Sequence, residues 1–331
     1  MKKYLALFII TALSLLLVTG CSQEEPEKQA SAPAEKATHQ EKAPAATQKF
    51  ATEETIKLGV AGPHSGDLAP YGIPAMKAAQ LVVKKINAAG GVLGKQVELL
   101  IQDDQCKPEI ATNTATKLVT EGADVVLGHI CSGATKAALG IYKDAKIPVM
   151  SPSATNPPLT QSGDYPNFFR TIASDDMQAK LAVDYTLDQL GMKKIAVLHD
   201  KGDYGKGFAE FAKKFIEDSG KAEVVLFEGV TPGAINYDSI VGKIRNEGAE
   251  ALIFGGYHPE ASKLVSSMKR KRLETIFVSD DGVKDDSFLK VAGESANAAN
   301  VTRPLLPSSR LSTVLIRVLS FRKGTPLRWP C

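Results

Sequence analysis

From residue 56 to residue 291 the chain repeats one pattern: a short apolar run rich in β-branched residues, a glycine or serine loop, then a longer stretch with apolar residues at helical spacing. Nothing else in the sequence constrains the fold as tightly, because strands that alternate with helices pair in parallel, under helices on both faces and with right-handed crossovers. Residues 56–61, 97–101, 124–127, 147–150, 195–198, 224–227, 251–254 and 276–278 read as strands. Met76, Ala79, Val83 and Ile86 mark one face of the first helix, closed by Gly90-Gly91, where a left-handed cap favours glycine. Residues 164–175 break the rhythm and read as a boundary. The expected fold is therefore α/β, two doubly wound parallel-sheet lobes at residues 55–170 and 171–300 joined by a hinge. Such lobes bind ligand between the carboxyl ends of their strands.

The flanks differ from this body. Lys2 and Lys3 precede an uncharged, largely apolar run at residues 5–18, the length of a signal-peptide core and too short to span a bilayer. Val18-Thr19-Gly20-Cys21 follows with the pattern of a bacterial lipobox, so residues 1–20 are expected to be removed and Cys21 to carry lipid. Residues 22–50 hold no Val, Ile, Leu or Met and interleave Glu and Lys with Ala, Gln and three prolines, too little apolar surface to offset ordering. Residues 21–54 thus read as a lipid-anchored linker holding a soluble domain at the outer face of a membrane.

The overall formal charge of +3 conceals a split: residues 301–331 carry six basic residues and no acid, which with Lys2 and Lys3 leaves residues 4–300 at −5. An acidic body argues against nucleic acid, which needs a basic face to displace counterions. The four body histidines, His64, His129, His199 and His258, have no metal-ligand spacing and read as hydrogen-bonding groups at strand ends; no metal is expected. His129, Cys131 and Ser132 share one loop without a nucleophile elbow, so hydrolysis is not expected. Gly202, Gly205 and Gly207 lack the dinucleotide spacing and no phosphate loop occurs, so no cofactor is expected.

The residues after the strands suit a cleft. Tyr71 follows the first, Cys131 and Ser132 the third, Ser153 and Thr155 the fourth; on the second lobe Tyr204, Tyr257 and Asp281 occupy corresponding places. Hydroxyls and free N–H groups of the first lobe suit a carboxylate, and an acid facing them suits an ammonium.

These segments also carry a family resemblance. Ile86-Asn87-Ala88-Ala89-Gly90-Gly91-Val92-Leu93-Gly94-Lys95, Asp103-Asp104-Gln105-Cys106, Gly128-His129-Ile130-Cys131-Ser132, Ser151-Pro152-Ser153-Ala154-Thr155 and Gly255-Gly256-Tyr257-His258-Pro259-Glu260 run in the order found in the periplasmic leucine, isoleucine and valine binding proteins, which the chain resembles over residues 55–304. The resemblance implies the type I periplasmic binding fold, no enzymatic activity, and delivery of a free amino acid to the permease subunits of an ABC importer. It implies that Ser132 and Thr155 hold the carboxylate, that the Ser153 carbonyl and Asp281 hold the ammonium, and that Tyr71, Tyr204 and Tyr257 line the cleft. Asp281 stands where those receptors have the longer Glu, so another aliphatic amino acid or an amide is an open alternative to a branched-chain ligand. A sensory module for amino acids or small amides is the other functional reading.

Cys106 and Cys131 are expected at neighbouring strand ends of one lobe of an exported protein, and the resemblance pairs them as a disulfide. After Asn300 the usage changes: four arginines serve residues 1–300, whereas the last 31 residues hold five, together with the only Trp, Trp329, and Cys331. Strand and helix alternation is not expected to continue there. Residues 301–331 read as an aberrant basic tail, out of frame with the family sequence, which would leave the second lobe incomplete and apolar surface exposed; the alternative is a divergent tail that docks on acidic lipid or a partner.

Overall fold

The computed structural model describes residues 55–304 and 316–320; the leader, Cys21, the linker to residue 54 and the rest of the tail lie outside the described residues. The elements are β1 (Ile56–Gly62), α1 (Ala69–Ala88), β2 (Val97–Asp103), α2 (Pro108–Thr120), β3 (Val125–Leu127), α3 (Ser132–Asp144), β4 (Val149–Ser151), α4 (Pro158–Gln161), β5 (Phe168–Arg170), α5 (Asp175–Asp184), β6 (Lys194–His199), α6 (Asp203–Ser219), β7 (Glu223–Gly229), α7 (Asp238–Asn246), β8 (Ala251–Gly255), α8 (His258–Arg270), β9 (Ile276–Ser279), α9 (Asp286–Ala292), β10 (Ala299–Pro304) and β11 (Ile316–Ser320).

The first sheet has the order β2-β1-β3-β4-β5 and the second β11-β10-β9-β8-β6-β7. Every pair is parallel except β10 with β11, which runs antiparallel with Asn300 opposite Ser320. Two α/β lobes of parallel sheet result, and the chain passes from one to the other between Arg170 and Asp175.

Three strands depart from the sequence reading. β10, which was not expected, extends the second sheet parallel to β9 and runs into the tail. β5 lies inside the stretch read as a boundary: Phe168 pairs with Val149 and closes the edge of the first sheet. β11 lies in the tail where no strand was expected.

Alternation along the strands decides which face is buried. Val126, Val149 and Phe168 point to one face of the first sheet, where Leu118 of α2 and Leu139 and Tyr142 of α3 bury them. Their neighbours Leu58, Val125 and Leu127 point to the other face. There, among the described residues, α1 lies over β1 and β2, and a groove of about 500 Å³ lined by apolar side chains runs beside it. On β4 and β5, Met150 is 43% and Phe169 52% exposed, although both belong to a parallel sheet. The second sheet is covered on both faces, by α5 and α6 against Ile195, Val197, Ile253 and Val278, and by α7, α8 and α9 against Leu198, Leu252, Phe254 and Phe277.

Helix starts cluster at the carboxyl ends of the strands. Pro70 in the first turn of α1 has no N–H to leave unpaired. Gly72, one residue on from Tyr71, must be glycine, because a Cβ there would lie 2.1 Å from the Pro63 carbonyl oxygen. This close approach fixes where the first turn of α1, and Tyr71 with it, stands against the β1–α1 loop.

Candidate functional site

Each side chain of the candidate site stands where a strand ends and a helix begins. Tyr71 is in the first turn of α1, Ser132 is the first residue of α3, Tyr204 is in the first turn of α6, and Tyr257 is the N-cap of α8. Ser153 and Thr155 follow β4, and Asp281 follows β9. The strand-to-helix order thus points the N-termini of α3, α6 and α8, with their unpaired N–H groups and positive dipole ends, towards one region.

A small cavity of about 80 Å³ occupies that region, lined by Tyr71, Ile130, Ser132 and Ser153 from the first lobe and Tyr204, Tyr257, Asp281 and Gly282 from the second. Six of the eight residues expected from sequence therefore meet. The other two lie just behind. Cys131 is buried in a disulfide with Cys106, their Cα atoms 5.5 Å apart. Thr155 is also buried, and its backbone N–H donates to Ser132 Oγ at 3.2 Å, as does that of Asn156. Ser132 Oγ is thereby fixed at the cavity wall.

The lobes are bonded across the cavity. The Tyr71 hydroxyl donates to the Gly282 carbonyl at 2.5 Å and lies 2.7 Å from His258 Nδ1. Tyr204 OH donates to Asp281 Oδ1 at 2.8 Å and accepts the Gly282 N–H at 2.9 Å. The Tyr257 ring sits between them, 5.8 Å from Tyr71 and 5.0 Å from Tyr204 between centroids. Outside the cavity, Lys136 pairs with Asp203 at 2.7 Å and Asn156 donates to the Asp203 carbonyl at 2.7 Å.

The electrostatics are one-sided. Burial pushes the Asp281 carboxyl above its usual range, against the pull of the Tyr204 hydroxyl and the Gln178 amide. Asp280 is fully buried behind it, accepting the Gly256 N–H at 3.0 Å, and burial together with the Asp281 charge drives its pKa well up. A third acid, Asp175, opens α5; it is fully buried, and neither of its carboxylate oxygens has a hydrogen-bond partner among the described residues. Burial raises it strongly and the Asp281 charge adds to the effect. Thr155 Oγ1 is likewise buried without a partner. Among the described residues, no lysine, arginine or histidine lines the cavity.

Asp175 was missed in the sequence, where Ser174-Asp175-Asp176 looks like any helix start, a capping serine followed by first-turn acids. Three of the four histidines serve as hydrogen-bonding groups: His129 bridges Asp104 at 2.6 Å and Tyr142 at 3.1 Å, His199 accepts the Lys201 N–H at 3.0 Å, and His258 meets Tyr71, whereas His64 Nδ1 is buried without a partner among the described residues.

Known proteins resemble the chain in sequence and in fold. A family model described as periplasmic binding protein matches residues 55–313. The chain belongs to the periplasmic binding protein family.

Among the relatives of this periplasmic binding protein are the leucine-, isoleucine-, valine-, threonine- and alanine-binding protein of Pseudomonas aeruginosa, 39% identical over 76% of the chain and 67% of the relative, and the Leu/Ile/Val-binding protein of Escherichia coli, 36% identical over 78% and 70%. The chain thus spans about two thirds of the length of these relatives. The branched-chain amino acid transporter substrate-binding protein of Streptococcus pneumoniae, solved with isoleucine, superposes with a TM-score of 0.68 at 33% identity, covering 78% of the chain and 74% of that structure. The family match runs to residue 313, past residue 304, where the motifs of the sequence resemblance end. Periplasmic binding proteins are exported solute binders, not enzymes, in agreement with the absence of an enzymatic reading in the sequence.

Proposed function

We propose that the protein captures a free amino acid, branched-chain or other aliphatic, in the cavity between its lobes and delivers it to the permease subunits of an ABC importer, held at the outer face of a membrane by lipid on Cys21. The observation that carries this reading is the polarity of the cavity. Ser132 opens α3, where N–H groups and the helix dipole favour a carboxylate, and Asp281 stands on the opposite lobe. A zwitterion satisfies both ends. Names of the relatives support the same class of ligand.

Equilibrium dialysis against a mixture of labelled amino acids tests the binding step: saturable retention of one molecule per chain supports it, and no retention overturns it. Anchoring is tested separately by incorporation of labelled palmitate in cells, which should disappear in Cys21→Ser.

A further inference from the structure

Resting on the proposed amino-acid reading, we infer that the ligand is a small amino acid of the alanine and serine class, and that Tyr71 sets this limit as a fixed part of the cavity wall.

Size comes first. A cavity of about 80 Å³, at roughly 10–15 Å³ for each water-sized occupant, holds about five to eight non-hydrogen atoms. The common part of every amino acid, its nitrogen, α-carbon and carboxylate, fills about five of those places. At most about three side-chain atoms remain, which admits alanine or serine; threonine and valine sit at the limit, and leucine and isoleucine exceed it.

The walls do not yield easily. Tyr71 crosses from the first lobe, and its hydroxyl is used twice, donating to the Gly282 carbonyl and accepting from His258 Nδ1. Moving the phenol to admit a longer side chain breaks both bonds in a buried setting, where an unmade hydrogen bond is expensive. Tyr204 is held in the same way, between Asp281 and the Gly282 N–H. Gly282 packs so closely that a Cβ on it would lie 2.6 Å from the Tyr204 ring. Tyr257 is packed by the rings of both, and it also lines a larger groove of about 730 Å³, so its ring stands as a shared wall of the two. A leucine side chain has no exit through this wall.

The closing experiment is titration calorimetry of the purified protein with alanine, serine, leucine and isoleucine, repeated on Tyr71→Ala and Tyr71→Phe. Alanine or serine should bind at least tenfold more tightly than leucine or isoleucine. Tyr71→Phe keeps most of the volume but loses both hydrogen bonds, so it should shift the ranking towards leucine by less than Tyr71→Ala, which should shift it at least tenfold. Leucine or isoleucine binding as tightly as alanine to the parent protein overturns the inference and leaves the amino-acid reading standing. An unchanged ranking in a folded Tyr71→Ala removes Tyr71 as the determinant. If the alanine variant does not fold, the parent ranking decides; if no amino acid binds the parent, the proposed function falls and this inference with it.

Discussion

Replacing Asp281 by alanine removes the acid that the cavity offers to an ammonium. A charge pair about 4 Å apart is worth roughly 4 kcal/mol at the effective dielectric suited to protein sites, and breaking one buried pair usually costs about 3–5 kcal/mol. The structure places the effect at the lower end. Burial raises the Asp281 pKa, which disfavours the charged form that an ammonium would pair with, and Tyr204 loses its acceptor with or without ligand. We expect a loss of about 3 kcal/mol, or roughly 150-fold in Kd. Asp281→Asn keeps the acceptor for Tyr204 and should lose nearly as much, which isolates the charge; Asp281→Glu should be milder. Calorimetry of the three variants against the best-bound amino acid is the assay. An alanine variant within threefold of the parent refutes the assignment of the ammonium to Asp281.

Three further outcomes follow from the rest of the molecule. The Cys106–Cys131 bond closes a separation of 25 residues, which by loop entropy contributes about 3.5 kcal/mol; reduction should lower Tm by roughly 7–14 °C, and a Tm unmoved by reductant would show that the bond is absent or without effect. Burial lifts Asp200 to a pKa of about 7, while its Oδ1 accepts the Gly202 N–H at 2.9 Å. Because the folded group keeps its proton where the unfolded one has lost it, the stability it contributes is complete below about pH 4 and is lost as pH rises through 7. Asp200→Asn should therefore flatten the fall in Tm between pH 5 and pH 8, and parallel slopes would argue against it. Met150 and Phe169 give the first sheet an exposed apolar face that should bind a hydrophobic dye; Met150→Gln with Phe169→Gln should reduce dye fluorescence and change stability by less than about 1 kcal/mol, whereas unchanged fluorescence would place the dye elsewhere.

Much of this was legible in the sequence because the signals were local. Eight strands carried β-branched runs, and six of the eight expected site residues reach the cavity because each follows a strand in a fold that gathers strand ends. β5 escaped because Phe168-Phe169-Arg170 is short and flanked by Gly163 and Pro166, which read as loop. Asp175 escaped for a different reason. A buried, partnerless carboxylate and a solvated first-turn acid look alike until tertiary packing distinguishes them. Likewise the bond from Tyr71 to Gly282 joins residues 211 apart, and no local pattern encodes it.

The central claim is that the cavity recognises both α-substituents of an amino acid, and calorimetry of L-alanine beside propanoate and ethylamine tests it most directly. The two analogues retain the small apolar part and lack the ammonium or the carboxylate respectively. The account predicts one alanine per chain and at least a hundredfold weaker binding of either analogue. An alanine affinity no better than that of propanoate or ethylamine would contradict it.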